Sequence, residues 1–86
     1  MKQKFQDVTY LIRWDLDRWK FIALDEKGHL LGTDLNRNRA IGSACRAAVC
    51  ASKDGTRVTI LFEEENGRRR KVCVVGMGVP MPIPAT

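Results

Sequence analysis

The side chains best suited to catalysis or metal binding in this chain are three cysteines, one histidine and two pairs of acidic residues. They are Cys45, Cys50, Cys73, His29, Asp15 with Asp17, and Asp25 with Glu26. No two cysteines have the C-x-x-C spacing of a zinc site, and His29 lacks a third group to orient it as a general base. Aspartate is common in tight turns because its carboxylate accepts backbone hydrogen bonds, which accounts for the acidic pairs. We therefore expect no enzyme activity, no metal site and no cofactor.

The cysteines also bear on the cellular compartment. Three is an odd number, and nothing in the sequence suggests the disulfide framework of a secreted protein, so we expect reduced thiols. In a helix, Cys45 and Cys50 would have Cα atoms about 8.6 Å apart, too far for a disulfide. We expect Cys45 and Cys73 in the core and Cys50 on the outer side. No apolar run resembles a signal peptide or a membrane span, so a cytoplasmic protein without membrane contact is expected.

Basic side chains are the more informative feature. The chain has 15 lysines and arginines against 10 acidic residues, a net charge of +5, which favours phosphates or acidic protein surfaces as partners. Residues 35 to 53 contain four cations and no acidic residue; the cations are Arg37, Arg39, Arg46 and Lys53. Successive members of the set Arg39, Arg46 and Lys53 are seven residues apart, so on a helix they would form one ridge. Such a ridge is either a binding surface or a solvated helix face.

A second basic cluster follows three glutamates in the stretch FEEENGRRRKV and comprises Arg68, Arg69 and Arg70. The dipeptide Asn66-Gly67 predicts a two-residue β-turn, because both residues tolerate positive φ. That turn predicts three cross-strand pairs of opposite charge, namely Glu65–Arg68, Glu64–Arg69 and Glu63–Arg70. We therefore expect a largely neutralised hairpin whose arginines are secondary contacts for a partner.

The elements that would carry these residues can be predicted from local patterns. VTYLIRW and RWKFIAL flank a short turn and predict a β-hairpin, and HLLGT predicts a short third strand. The alanine-rich residues 40 to 51 predict one helix, with Asp34, Asn36 or Asn38 as the N-cap and Asp54-Gly55 as the stop. RVTILFEEE and RRRKVCVVGM predict two more strands. The order ββ(β)αββ predicts an α+β fold, in which one helix packs on an antiparallel sheet of four to five strands.

One domain is expected over residues 1 to 76, followed by a Pro-rich extended tail over residues 77 to 86. The helix should face the sheet with Ala40, Ile41, Ala44, Cys45, Ala47, Ala48 and Ala51. The strand face towards the core should carry Val58, Ile60, Phe62, Cys73 and Val75, and the other face Leu61, Val72 and Val74. Apolar surface on that second face, or the tail, would suit a homodimer.

Trp14 and Trp19 in the first hairpin, the alanine-rich helix and the strand, glycine turn and strand over residues 58 to 75 form a recognisable order. Over residues 8 to 75 this order resembles a family of small bacterial domains of unknown function. That family has no settled activity, so the resemblance implies no functional residue. In size and helix-on-sheet build the chain is also similar to short phage-encoded proteins, including anti-CRISPR inhibitors.

Three functions fit these features. The first is a small, basic, non-enzymatic binding domain that engages nucleic acid or a nucleoprotein complex through the helix ridge. The second is an anti-CRISPR-like inhibitor, encoded by a phage or mobile element, that binds a protein or nucleoprotein complex and blocks its nucleic-acid site. The third is a structural or dimerising module. Trp14 and Trp19 either pack within the hairpin or stack on nucleic-acid bases.

Overall fold

The computed structural model describes residues 6–81, which form one α-helix and six β-strands. In chain order the elements are β1 (Asp7–Asp15), β2 (Lys20–Leu24), β3 (Leu30–Asp34), α1 (Arg37–Ala51), β4 (Arg57–Glu63), β5 (Arg69–Gly76) and β6 (Val79–Met81), with a 3-10 turn (Ser52–Asp54) after the helix. Within this range no helix is both long enough and apolar enough to cross a membrane. One helix packed on one sheet is the α+β arrangement that the sequence predicts.

The six strands form one mixed sheet in the order β3-β2-β1-β4-β5-β6. The central strands β1 and β4 are parallel, and the other neighbours are antiparallel. The prediction of an antiparallel sheet of four to five strands is therefore wrong in both strand count and strand direction. The direction follows from the topology, because β3 ends at the same end of the sheet as β1. The helix then returns the chain to the opposite end, so β4 runs in the same direction as β1.

Small side chains bring α1 close to one face of the sheet. Ala40, Ala44 and Ala48 have no exposed surface. They share a core with Tyr10, Ile12, Ala23, Val58, Ile60, Phe62 and Val75. A Cβ added to Gly32 of β3 would lie only 3.0 Å from the Cβ of Ser43, so glycine favours this close approach. The predicted helix stripe and core face are confirmed, except that Ala51 at the end of α1 is exposed.

The β4–β5 ladder contains a bulge that shifts its register by one residue. Up to Ile60 the pairs are those that the sequence predicts, but beyond it Glu63 faces Arg69, whereas the prediction paired Glu63 with Arg70. A bulge adds one unpaired residue to one strand and changes the side-chain alternation. Val72, which the prediction assigned to the outer face, accordingly packs against the core.

The turn of this hairpin is also longer than the predicted Asn-Gly turn. The N–H of Gly67 donates to the carbonyl of Glu64 at 2.9 Å, and the N–H of Glu64 donates to the carbonyl of Arg68 at 2.8 Å. Gly67 has a φ of 84°, whereas Asn66 is not among the residues with positive φ. This is the longer hairpin connection in which a left-handed glycine follows the turn, rather than the two-residue turn in which both central residues are left-handed.

The face of the sheet away from α1 is partly apolar. Leu61 and Val74, predicted on this face, are half-buried. Leu11 and Leu24 in β1 and β2 are also half-buried and lie on the same face by strand alternation.

The residues that the sequence assigns to a tail begin with a turn at Met77 and Gly78, both of which have positive φ. The chain then enters β6, which pairs with β5 at the edge of the sheet. Proline is tolerated on an edge strand, where Pro80 lies. The remainder of the predicted tail, residues 82 to 86, lies outside the described residues.

Candidate functional site

The start of α1 is fixed by a side-chain cap. The side-chain oxygen of Asn36 accepts hydrogen bonds from the backbone N–H groups of Asn38, at 2.8 Å, and Arg39, at 3.2 Å. Asn36 is one of the three caps that the sequence predicts, and asparagine is among the most favoured residues at this position. The cap therefore fixes the start of α1 and, with it, the positions of its first two cations, Arg37 and Arg39.

Arg39, Arg46 and Lys53, which we call the basic ridge, are all exposed. The first two are linked through Ser43, whose hydroxyl donates to the carbonyl of Arg39 at 3.2 Å and accepts from the Arg46 guanidinium at 3.3 Å. Because Ser43 lies against Gly32, this part of the ridge runs along the side of α1 that borders β3. Lys53, which the sequence predicts on the helix, lies beyond the end of α1 in the 3-10 turn, and its side chain is next to Gly78 of the β5–β6 turn.

Arg37 is separate from the basic ridge. Because Arg37 precedes the buried Ala44 by about two helical turns, it lies on the same side of α1, which faces the sheet. Its guanidinium carbon lies 4.7 Å from the centroid of the Phe62 ring, within the range of a cation–π contact. Arg37 therefore points to the end of the sheet rather than along the outer surface of α1.

The hairpin arginines differ from those of the helix in having acidic partners. Arg69 pairs with Glu63 at 3.0 Å and Arg70 with Glu64 at 3.6 Å, and Arg68 is exposed. Exposed ion pairs contribute only about 0–1 kcal/mol to stability, yet each places a negative charge beside the positive one. Within residues 6–81, none of Arg37, Arg39, Arg46 and Lys53 forms an ion pair with a carboxylate. The helix cations are thus the less compensated group.

One further cation lies beside the basic ridge and was not singled out from the sequence. Lys20 and Arg39 line the same shallow recess of about 600 Å³, together with Asp34. The Asp34 carboxylate accepts a hydrogen bond from the backbone N–H of Asn36 at 2.8 Å. No local pattern connects residues 20 and 39, because they become neighbours only when α1 crosses the sheet.

An aromatic cleft lies at the end of the sheet where α1 begins, between the β1–β2 and β4–β5 turns. Its rings are Trp14, Trp19, Phe21 and Phe62, and its volume is about 1190 Å³. Ring centroids are 6.0 Å apart for Trp14 and Trp19, 4.9 Å for Trp14 and Phe21, and 6.0 Å for Phe21 and Phe62. These separations are in the range of favourable aromatic contacts. Charged residues also line the cleft, and they are Arg13, Arg37, Arg70, Glu63, Glu64 and Glu65.

Trp19 is the most exposed of the four rings, with 67% of its surface accessible. Its φ of 52° is in the left-handed region, which glycine and asparagine adopt more readily. A bulky residue in this conformation costs about 1–3 kcal/mol, and such strain often occurs at binding sites. The loop thus presents a large aromatic side chain at a position where the backbone favours a small one.

Asp15 holds the loop that carries Trp19. Its carboxylate accepts hydrogen bonds from the backbone N–H of Asp17, at 3.1 Å, and from the guanidinium of Arg18. The hydrogen bond from Arg18 is the main reason why the pKa of Asp15 is below its usual range. The predicted structural role of the turn carboxylates is confirmed for Asp15 and Asp25, whereas within residues 6–81 the side chains of Asp17 and Glu26 accept no hydrogen bond. Asp25 likewise accepts from two backbone N–H groups in the β2–β3 turn.

The thiols are placed much as predicted. The Sγ atoms of Cys45 and Cys73 are 3.5 Å apart in a half-buried contact, whereas Cys50 is exposed. Burial, together with the neighbouring Cys73 thiol, raises the pKa of Cys45 to about 11, so its thiol is protonated at neutral pH. In the part of the chain that the structure describes, no three Cys, His, Asp or Glu side chains are grouped to hold a metal ion.

No protein-family model, curated protein or solved structure matches this chain. The resemblance to a bacterial family, inferred from element order, therefore stays a prediction.

Proposed function

We propose that this chain is a non-enzymatic binding domain that engages the phosphates of a nucleic acid through α1. The observation that carries the proposal is the contrast between its two basic clusters. The helix cations have no carboxylate partner within residues 6–81, whereas Arg69 and Arg70 of the hairpin do. Within residues 6–81, a phosphate can thus reach Arg39 or Arg46 without breaking an ion pair, although the Asp34 carboxylate lines the recess beside Arg39.

The positions of the cations support phosphate contacts more than base recognition. Arg39 and Arg46 are about 10 Å apart along the helix axis, which suits successive contacts along a phosphate backbone. Lys20 adds a cation beside Arg39. Contacts of this kind set affinity and register but carry little sequence information, so we expect weak sequence preference.

The test is a salt titration of binding to labelled single-stranded and duplex DNA. With four phosphate contacts, affinity for duplex DNA should fall about a hundredfold between 50 and 200 mM salt, because log K falls by about 0.9 per contact for each tenfold rise in salt. For single strands the corresponding value is about 0.7 per contact, so the fall should be about fiftyfold. The double variant Arg39→Gln/Arg46→Gln should reduce that slope by about half, because it removes two of the four contacts.

The matched control is Arg57→Gln/Arg69→Gln, which removes the same charge from strands β4 and β5. It should retain most of the salt dependence. If no DNA binds at low salt, the proposal fails and a protein partner becomes the better explanation. If both double variants lose affinity equally, net charge rather than the basic ridge is responsible.

A further inference from the structure

The aromatic cleft offers a surface of a different kind from the basic ridge. Trp19 is 67% exposed, and Trp14 contacts its ring from within the cleft at an interplanar angle of 74°. Trp14 in turn meets Phe21 at 77°. Trp19 is therefore backed by a fixed aromatic layer while much of its surface stays free for a ligand.

The cleft also connects to the basic ridge through one residue. Arg37 lines the cleft and contacts Phe62 there, and it is also the first residue of the helix that carries the ridge. A chain of phosphates that follows α1 towards its N-terminus thus reaches the cleft that Trp19 lines, where Arg13, Arg37 and Arg70 equal in number the carboxylates of Glu63, Glu64 and Glu65. In duplex DNA the base faces are covered by their neighbours, so only an unpaired base could lie on this ring.

We infer that the aromatic cleft binds an unpaired base of a single-stranded nucleic acid, with Trp19 as the stacking platform and Arg37 on the adjoining phosphate. This inference rests on the proposed function, and it adds that the preferred ligand is single-stranded. Aromatic stacking tolerates every base because each has a π-face, so the cleft confers preference for strandedness rather than for sequence.

The test compares two labelled strands, each about ten nucleotides long, a length within the range of single-strand binding sites. One is oligothymidylate, and the other is an abasic strand with the same number of phosphates. The wild-type protein should bind oligothymidylate between about fivefold and about a hundredfold more tightly than the abasic strand. Binding should also quench tryptophan fluorescence, which comes from only two residues.

Trp19→Ala should abolish the difference between the two strands and leave the affinity for the abasic strand unchanged. Trp19→Phe should restore part of the difference, because phenylalanine keeps a stacking face. Because Trp19 is largely exposed, both variants should fold. Thermal melting verifies that each variant is folded.

The outcomes separate this inference from the proposed function. If oligothymidylate and the abasic strand bind equally, or if Trp19→Ala leaves oligothymidylate affinity unchanged, the cleft does not bind bases although the basic ridge still binds phosphates. If Trp19→Ala matters and Arg39→Gln/Arg46→Gln does not, the cleft is the binding site and the ridge is not. If neither strand binds, both proposals are wrong, and the aromatic cleft becomes a candidate protein-contact surface.

Discussion

The hydroxyl oxygen of Ser52 accepts a hydrogen bond at 2.9 Å from the backbone N–H of Gly78. The same hydroxyl donates to the carbonyl of Val49 at 3.2 Å, and Ser52 has no exposed surface. One buried side chain thus connects the C-terminal end of α1 to the turn between β5 and β6.

We expect Ser52→Ala to lower the free energy of unfolding by about 1–3 kcal/mol, because it leaves the N–H of Gly78 without an acceptor. Urea denaturation would measure the loss. Ser43→Ala is the matched control, since the Ser43 hydroxyl bonds to its own helix and to an exposed arginine, and it should change stability by less than about 0.5 kcal/mol. Equal losses in the two variants would contradict a special role for Ser52.

The carboxylate of Asp15 should make the β1–β2 turn sensitive to acid. Its pKa is lowered in the folded protein, mainly by Arg18, so its contribution to stability is present above the unfolded-state pKa of about 3.9. That contribution is lost as the pH falls through the lower, folded-state value. Wild type should therefore be more stable than Asp15→Asn at pH 5–7, and the difference should shrink below about pH 4.

Chemical denaturation at a series of pH values, followed by tryptophan fluorescence, would measure this difference. Asp17→Asn serves as the control, because within the described residues the Asp17 side chain accepts no hydrogen bond, although its backbone N–H donates to Asp15. A difference between wild type and Asp15→Asn that stays constant down to pH 2 would show that the carboxylate does not stabilise this turn.

The three thiols should differ in reactivity. Cys50 is exposed, whereas Cys45 is half-buried and its raised pKa of about 11 keeps it protonated. We expect iodoacetamide at about pH 8 to alkylate Cys50 first, since the thiolate is the reactive form. Cys45 and Cys73 should react mainly after unfolding.

Peptide mass spectrometry over a time course would assign the modified residue. Cys50→Ser should remove the fast phase and leave the slow one. Fast labelling of Cys45 or Cys73 in the native protein would mean that the contact between α1 and β5 opens readily.

Local features of the sequence were sufficient to predict α1. Its alanines recur at helical spacing, and Asn36 is a favoured cap because its side chain can accept backbone hydrogen bonds. The same spacing predicts that Arg39 and Arg46 lie on one side of α1, but it does not predict that Lys53 lies beyond the end of the helix. The two strand stretches of the last hairpin were also predictable, since Val58 and Val75 pair as expected.

Features that depend on distant neighbours were not predictable in this way. The parallel pairing of β1 with β4 depends on where the chain returns after α1, and local alternation identifies a strand without identifying its partner. The bulge after Ile60 brings both Val72 and Cys73 against the core, which strict strand alternation does not predict. The aromatic cleft combines Trp19 with Phe62 from the other half of the chain, so sequence spacing gives no sign of it.

Pro80 limits strand addition at the β6 edge of the sheet. In an antiparallel pair, successive residue pairs alternate between hydrogen-bonded and non-hydrogen-bonded. Gly76 and Val79 close the turn between β5 and β6, and Val75 and Pro80 are the next pair, so the nitrogen of Pro80 faces away from β5. Proline has no N–H to donate at that place. Over residues 79–81 the outer edge of β6 therefore offers an incoming strand no backbone donor, which disfavours strand addition at this edge of the sheet.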